Sequence, residues 1–152
     1  MAYEFKLVRR VEFFDTDMAG IVHFSNFFRY MEAAEHGFFR SLGMSIVADV
    51  EPPLGWPRVQ ARCDFKHPLH FEDQVEIHLL VREKRSKSLS YAFRLVKLNS
   101  APPVEVARGS ITVVCVRHKD GKMQAATIPQ AIAERIDVAP ASLLEGLNDR
   151  ED

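Results

Sequence analysis

Between residues 58 and 117 four strand-like runs follow one another with no helical stretch between them, and this restricts the fold more than any other feature of the chain. Arg58–His67 alternates with Val59, Ala61, Cys63 and Phe65 inward, and Asp73–Arg82 with Val75, Ile77, Leu79 and Val81 inward, the period-2 pattern of half-buried strands. Leu89–Leu98 and Val104–Arg117 are apolar on both faces over much of their length, as central strands covered twice would be. Asn99-Ser100-Ala101-Pro102-Pro103 supplies turn chemistry between those two.

Upstream, residues 3–14 alternate as a first strand, with Tyr3, Phe5, Leu7, Val11 and Phe13 on one side. A turn-rich segment, 15–20, leads to apolar residues at 27, 28, 30, 31, 34, 38, 39 and 42, which is helical spacing. Ser25 or Asn26 can cap that helix and Gly43 can end it, while Gly37 inside it implies close packing against a sheet. Val50–Pro57, with Pro52, Pro53, Gly55 and Pro57, reads as a loop; a short helix is expected at Gln130–Ile136. The order is therefore strand, one long apolar helix, then four strands, which calls for an α+β layer: a mostly antiparallel sheet of about five strands wrapped around one helix. The expected domain is 1–137, followed by an acidic, frayed tail at 138–152. One helix covers only one sheet face, so the other is expected to self-associate as a homodimer or homotetramer.

With 20 Lys+Arg against 21 Asp+Glu in 152 residues, the net charge of -1 provides no global field for nucleic acid, and any anion site must be local. The charged N-terminus lacks the apolar core of a signal peptide, and no run is long enough for a membrane span, so the expected location is cytoplasmic. Cys63 and Cys115 read as buried free thiols.

Asp15 and Asp17 stand where the first strand gives way to the loop, and Gly20, Ser25 and Asn26 lead on into the helix. This order can aim a carboxylate at the helix start, whose first N–H groups have no intrahelical partner. A carboxylate facing free backbone donors suits acyl transfer: the donors hold an oxyanion and the carboxylate serves as base or nucleophile. The same aspartates also serve as ordinary turn residues in many loops.

The run from Val11 to Tyr30, VEFFDTDMAGIVHFSNFFRY, resembles the signature of the 4-hydroxybenzoyl-CoA thioesterase family of the hotdog-fold superfamily, and the resemblance extends to about Arg117. It implies a hotdog fold and an acyl-CoA thioesterase taking an aromatic or apolar acyl group, with coenzyme A as part of the substrate and no cofactor or metal. It implies that Asp17 is the catalytic nucleophile or general base, that the backbone N–H of Phe24, or else of His23, holds the oxyanion, and that Asp15 and Asn26 belong to the site, Asp15 as a residue that accepts loop N–H bonds and holds Asp17 in place or else as a second carboxylate. His23 stands one place before the histidine of some relatives, so its side chain is either a polariser of the carbonyl or a helix-end residue. The cationic turn Arg82–Ser88 would lie near the nucleotide phosphates, with Arg85, Lys87 and Ser88 at matching positions. The alternative is a non-catalytic acyl-CoA or aromatic-ligand binding protein on the same fold.

Other candidates have plainer readings. Glu32 and Glu35, on so apolar a helix, require a partner or an aqueous cleft. Asp64, His67 and His70 lack a full metal ligand set and read as a strand end and loop. An Asp-x-Asp cation site is a further rival, for which no third ligand is evident. Trp56 and Pro57 precede a strand and are candidates for lining an acyl pocket or for the core.

Overall fold

The computed structural model describes residues 2–48 and 50–147. Strands β1 (Glu4–Arg10), β3 (Arg58–Phe65), β4 (Gln74–Lys84), β5 (Ser88–Lys97) and β6 (Val104–Val114) form one sheet in the order β1-β4-β5-β6-β3. Every neighbouring pair is antiparallel. A smaller sheet joins β2 (Leu54–Gly55), β7 (Val116–Lys119) and β8 (Lys122–Ala125). Helix α1 (Ser25–Ser41) lies on the inner face of the large sheet; α2 (Gln130–Ala133) and α3 (Ala141–Leu144) are single turns.

The inner face is built by the alternation read from the sequence. Val75, Ile77, Leu79 and Val81 of β4 are all fully buried, together with Leu89, Tyr91, Phe93 and Leu95 of β5. They pack against Phe27, Met31, Ala34 and Phe38 of α1 in one core. Two glycines allow the helix to sit close. A methyl on Gly37 would strike the Phe5 ring of β1, and one on Gly109 of β6 would collide with Met31 and the Arg62 carbonyl. Gly43 ends the helix at φ +76°, a left-handed conformation that costs glycine little.

The structure corrects several boundaries. The first strand stops at Arg10, and Phe13–Asp15 turn into a short 3-10 helix that leaves Phe13 exposed. The long apolar run after Val104 is two strands: β6 ends at Val114, and Val116 leaves for the second sheet, where it pairs with Gly55 and Ala125. Val59 does not face inward. A bulge between Arg58 and Gln60 shifts the register and leaves Val59 62% exposed.

The outer face is also unlike the expectation. It carries Ser90, Arg94, Glu105, Arg108, Ser110 and Thr112, and its apolar part, Leu80 and Ala92, is covered by Ala139, Leu144 and Leu147 of the same chain. The segment 138–147 is thus packed and not a frayed tail, while 148–152 lie outside the described residues. The uncovered apolar sheet face that argued for self-association is absent among the described residues.

The strand register gives the sheet two ends. Arg10, Gln74, Lys97, Val104 and Phe65 lie at one, and Glu4, Lys84, Ser88, Val114 and Arg58 at the other. Helix α1 begins at the first end, where Phe27 meets Phe65 edge-on at 5.0 Å, and runs to the second, where Glu35 meets Arg58.

Candidate active site

The loop after β1 is tied down group by group. Its Asp15 carboxylate accepts the Glu12 N–H at 2.9 Å and the Tyr30 hydroxyl at 3.0 Å. The Asp15 carbonyl accepts the His23 N–H at 2.9 Å and the Asn26 side-chain amide at 2.8 Å. Burial, and then the Asp15 carboxylate, hold the Tyr30 phenol well above its ordinary pKa, so it stays a donor. Asp15 accepts a loop N–H as its structural reading expected, and it and Asn26, both candidates for substrate contact, hold the loop against the helix; neither lines the pocket described next.

Asp17 is left exposed at the tip. Its N–H reaches the Ile21 carbonyl at 3.0 Å, and its Oδ1 accepts the Ala19 N–H at 2.8 Å. Among the described residues Oδ2 has no partner. Gly20 at φ +78° turns the chain back, and Val22 anchors it by donating to the Leu69 carbonyl at 2.8 Å.

Helix α1 starts without the expected Ser25 or Asn26 side-chain cap. The ring of His23 performs that role: Nδ1 lies 2.7 Å from the Ser25 hydroxyl and accepts the Ser25 N–H at 3.3 Å. With donors converging on Nδ1, the neutral ring carries its proton on Nε2. His23 does not line the pocket, which favours its helix-end role. The His23 N–H is occupied by Asp15 and the Asn26 N–H by the His23 carbonyl. The Phe24 N–H, in contrast, has no acceptor among the described residues, and Phe24 has helical dihedrals, φ -54° and ψ -32°. A free donor at the positive end of a 17-residue helix is suited to hold an oxyanion.

Asp17 and Phe24 line one pocket of about 460 Å³ with Ile21, Val22, Phe27, Phe65, Lys66, His67 and Pro68. Nothing in the alternation of β3 pointed to Phe65 and Lys66 as site residues, because the pattern placed Phe65 in the core; it is 49% exposed. The suggested metal trio is dispersed: Asp64 pairs with Arg62 at 3.3 Å, His70 lies 3.8 Å from Asp73, and His67 faces the pocket. Among the described residues no three His, Cys, Asp or Glu side chains are grouped to hold a metal ion.

The chain matches the model of the Thioesterase-like superfamily over residues 11–136. It belongs to that family. The thioesterase is 34% identical to a putative esterase of Aquifex aeolicus, over 83% of this chain and 92% of the relative. It is 25% identical to 4-hydroxybenzoyl-CoA thioesterase of Pseudomonas sp., over 85% and 94%. A solved 1,4-dihydroxy-2-naphthoyl-CoA thioesterase from Synechocystis superposes with a TM-score of 0.76 at 25% identity, covering 87% of this chain and 94% of that one. The fold is the hotdog fold and the protein is a thioester hydrolase.

The cationic turn lies at the other end of the sheet from Asp17. The Arg85 side chain is 71% exposed and pairs with Glu83 at 2.6 Å, Lys87 is exposed, and the Ser88 carbonyl closes the turn on the Arg85 N–H at 2.9 Å. Lys84 is not available to a ligand, since its Nζ donates to the Ala133 and Ile136 carbonyls. A cleft of about 330 Å³ beside the turn adds Ser86, Thr127 and Ile128 to Arg85. Val75 to Lys84 on β4 is nine steps, about 30 Å at ~3.3 Å per residue, so within one chain the thioesterase keeps its carboxylate and its cations far apart.

The helix glutamates differ from each other. Glu35 is buried and grips Arg58 with both oxygens, at 2.6 and 3.1 Å, over the buried Tyr91; burial, and then the Glu35 carboxylate, raise the Tyr91 pKa. Glu32 is exposed and reaches Arg58 only at 3.5 Å. Trp56 packs edge-on against Phe39 at 5.8 Å, and a cleft of about 300 Å³ lies between Glu32, His36, Trp56, Arg58 and the loop residues Ile46, Val47 and Leu54. No helix among the described residues is long and apolar enough to cross a membrane.

Proposed function

We propose that this thioesterase hydrolyses an aryl acyl-CoA to the free acid and coenzyme A in the cytoplasm, as a homodimer and without a resident metal or cofactor. The observation that carries the chemistry is the pairing, on one pocket, of the free Phe24 N–H with the free Oδ2 of Asp17. The thioester carbonyl oxygen takes the Phe24 N–H, and its developing charge is held by the helix start. Asp17 then either attacks the carbonyl carbon, expelling the thiolate and leaving an anhydride that water cleaves, or removes the proton from a water that attacks directly. Both routes end in the same acid and thiol. Phe24, Phe27 and Phe65 favour a flat apolar acyl group, in keeping with the aryl thioesters named for the relatives.

The dimer reading rests on two features. Edge strand β3 presents exposed Phe65 beside the pocket and exposed Val59 at its other end, whereas edge β1 is guarded by Lys6, Arg9 and Arg10. Antiparallel pairing of two β3 edges across a twofold axis would carry one chain's 85–88 turn toward the other chain's Asp17 end, giving the phosphates their Arg85, Lys87 and Ser88 contacts. A Val59→Asp chain, altered at an exposed bulge, is expected to fold and to run as a monomer in light scattering. A dimer unaffected by that change would point to another interface.

The reading as a whole is tested by thiol release from a panel of aryl and alkyl acyl-CoA thioesters, with and without a chelator. Turnover of aryl thioesters that survives the chelator supports it. Saturable binding with no thiol released would make the protein a binding module, and chelator-sensitive turnover would return the Asp-x-Asp cation site to the mechanism.

A further inference from the structure

The chain that leaves β3 brings a second ionisable side chain to the Asp17 pocket. Just past the last ladder pair, Phe65 and Ala107, the N–H groups of Lys66 and His67 both donate to the Val106 carbonyl, at 2.8 and 3.2 Å. Pro68 restricts His67 to extended backbone. The residues that follow are bonded to the catalytic loop itself. The Leu69 carbonyl accepts the Val22 N–H at 2.8 Å, the Glu72 N–H donates to the Val11 carbonyl at 3.0 Å, and the Val11 N–H donates to the Asp73 carbonyl at 2.8 Å. With Leu69 fully buried between them, segment 66–73 and the Asp17 loop form one hydrogen-bonded unit, which fixes the backbone of His67 relative to that of Asp17.

The pocket has a floor and a rim. Val22 and Phe27, both buried, make the floor, whereas His67 and Pro68 are exposed. An apolar acyl group belongs on the floor. With the thioester carbonyl on the Phe24 N–H, the sulfur and the coenzyme A arm then leave past the rim. Two lining side chains there carry N–H groups, Lys66 and His67. The Lys66 ammonium donates to Glu105 at 2.7 Å. The His67 ring has no hydrogen bond or ion pair among the described residues, so both its nitrogens are open to a ligand. The two side-chain types also differ in acid strength. An imidazolium is a stronger acid than a thiol and an ammonium is a weaker one, so an imidazolium protonates a departing thiolate downhill. Asp17 acting as the nucleophile has no proton to give.

We propose that His67 is a further catalytic residue, the acid that protonates the departing sulfur. This rests on the acyl-CoA hydrolase reading above and deepens it. As the C–S bond breaks, its electron pair stays on sulfur and takes the imidazolium proton. The proton set free when water forms the acid returns to the neutral ring through solvent, so acid and thiol are the net products by either Asp17 route. The test measures kcat/KM, which includes thiol loss but not later anhydride cleavage, for wild type and His67→Gln. The substrates are the benzoyl thioesters of N-acetylcysteamine, a basic thiol, and of 4-nitrothiophenol, a weakly basic one; neither carries phosphates. The variant is altered at an exposed, unbonded side chain and should keep the wild-type unfolding midpoint. It should lose about a hundredfold on the N-acetylcysteamine thioester and less than about threefold on the other, because a stable thiolate needs no proton. With benzoyl-CoA, the wild-type rate should fall toward alkaline pH as the ring loses its proton, and that fall should vanish in His67→Gln. The other charged groups on the pocket, Asp17 and Lys66, are the same in both chains. An equal loss on both small thioesters, unchanged rates, or an alkaline fall that persists in the variant overturns the proposal while sparing the hydrolase reading. No thiol release by the wild type from any thioester overturns both.

Discussion

Replacing Asp17 by asparagine is expected to lower kcat for thiol release by roughly a thousandfold or more, about 4 kcal/mol of transition-state stabilisation at ~1.4 kcal/mol per decade. The amide keeps the size of the side chain and can still accept the Ala19 N–H through its oxygen, so the loop should hold its shape. It cannot attack a carbonyl carbon or take a proton from water. Thermal unfolding and the affinity for a non-hydrolysable acyl-CoA thioether should therefore stay close to those of the wild type, placing the loss in the chemical step. Turnover surviving within about tenfold would remove Asp17 from the mechanism and leave the Phe24 N–H without its partner.

Arg58→Met is expected to cost about 3 kcal/mol of folding stability, a large share of what a domain of this size has. The cost comes less from the lost arginine than from what remains: Glu35, 1% exposed, would hold its charge against Tyr91 with only His36, 3.9 Å away, beside it. Converting both partners, Glu35→Leu with Arg58→Met, removes that stranded charge and should restore most of the stability in urea denaturation. A single substitution costing under about 1 kcal/mol would mean that solvent reaches Glu35 when Arg58 leaves, and that the clamp is weaker than its geometry implies.

The parts of this fold that follow a period were legible before any coordinates. Alternation in β4 named four buried residues correctly, and the spacing in α1 named its core face, because burial on one side imposes a pattern on side-chain type. What escaped has no period. The hand-over from β6 to β7 at Cys115 lies inside an unbroken apolar run, since both sheets bury their residues there. The bulge at Val59 is one added residue, and it reverses the facing of everything before it. In the site, the Asp-x-Asp motif pointed to Asp17, but the roles of its neighbours depend on hydrogen bonds that no spacing records. The loop-holding role of Asp15 was legible from its place in the motif, whereas that of Asn26, whose amide suits a ligand as well as a carbonyl, was not. Glu35 and Arg58 are separated by a whole helix end and a loop, so their pairing had no local signal.

The two close approaches beneath α1 have a consequence for how such a protein changes over time. Met31 fills the space above Gly109 and the Phe5 ring fills the space beside Gly37, so the helix can neither slide nor roll without a collision. A side chain at 109 would meet the Arg62 carbonyl as well as Met31, so a smaller residue at 31 does not by itself free that position. Diversification toward new acyl groups would then be confined to positions off that seam, such as Glu32, His36, Ile46 and Val47 on one cleft and Lys66 on the other, leaving the reaction's geometry at Phe24 and Asp17 undisturbed. The scaffold separates what must be inherited unchanged from what is free to drift.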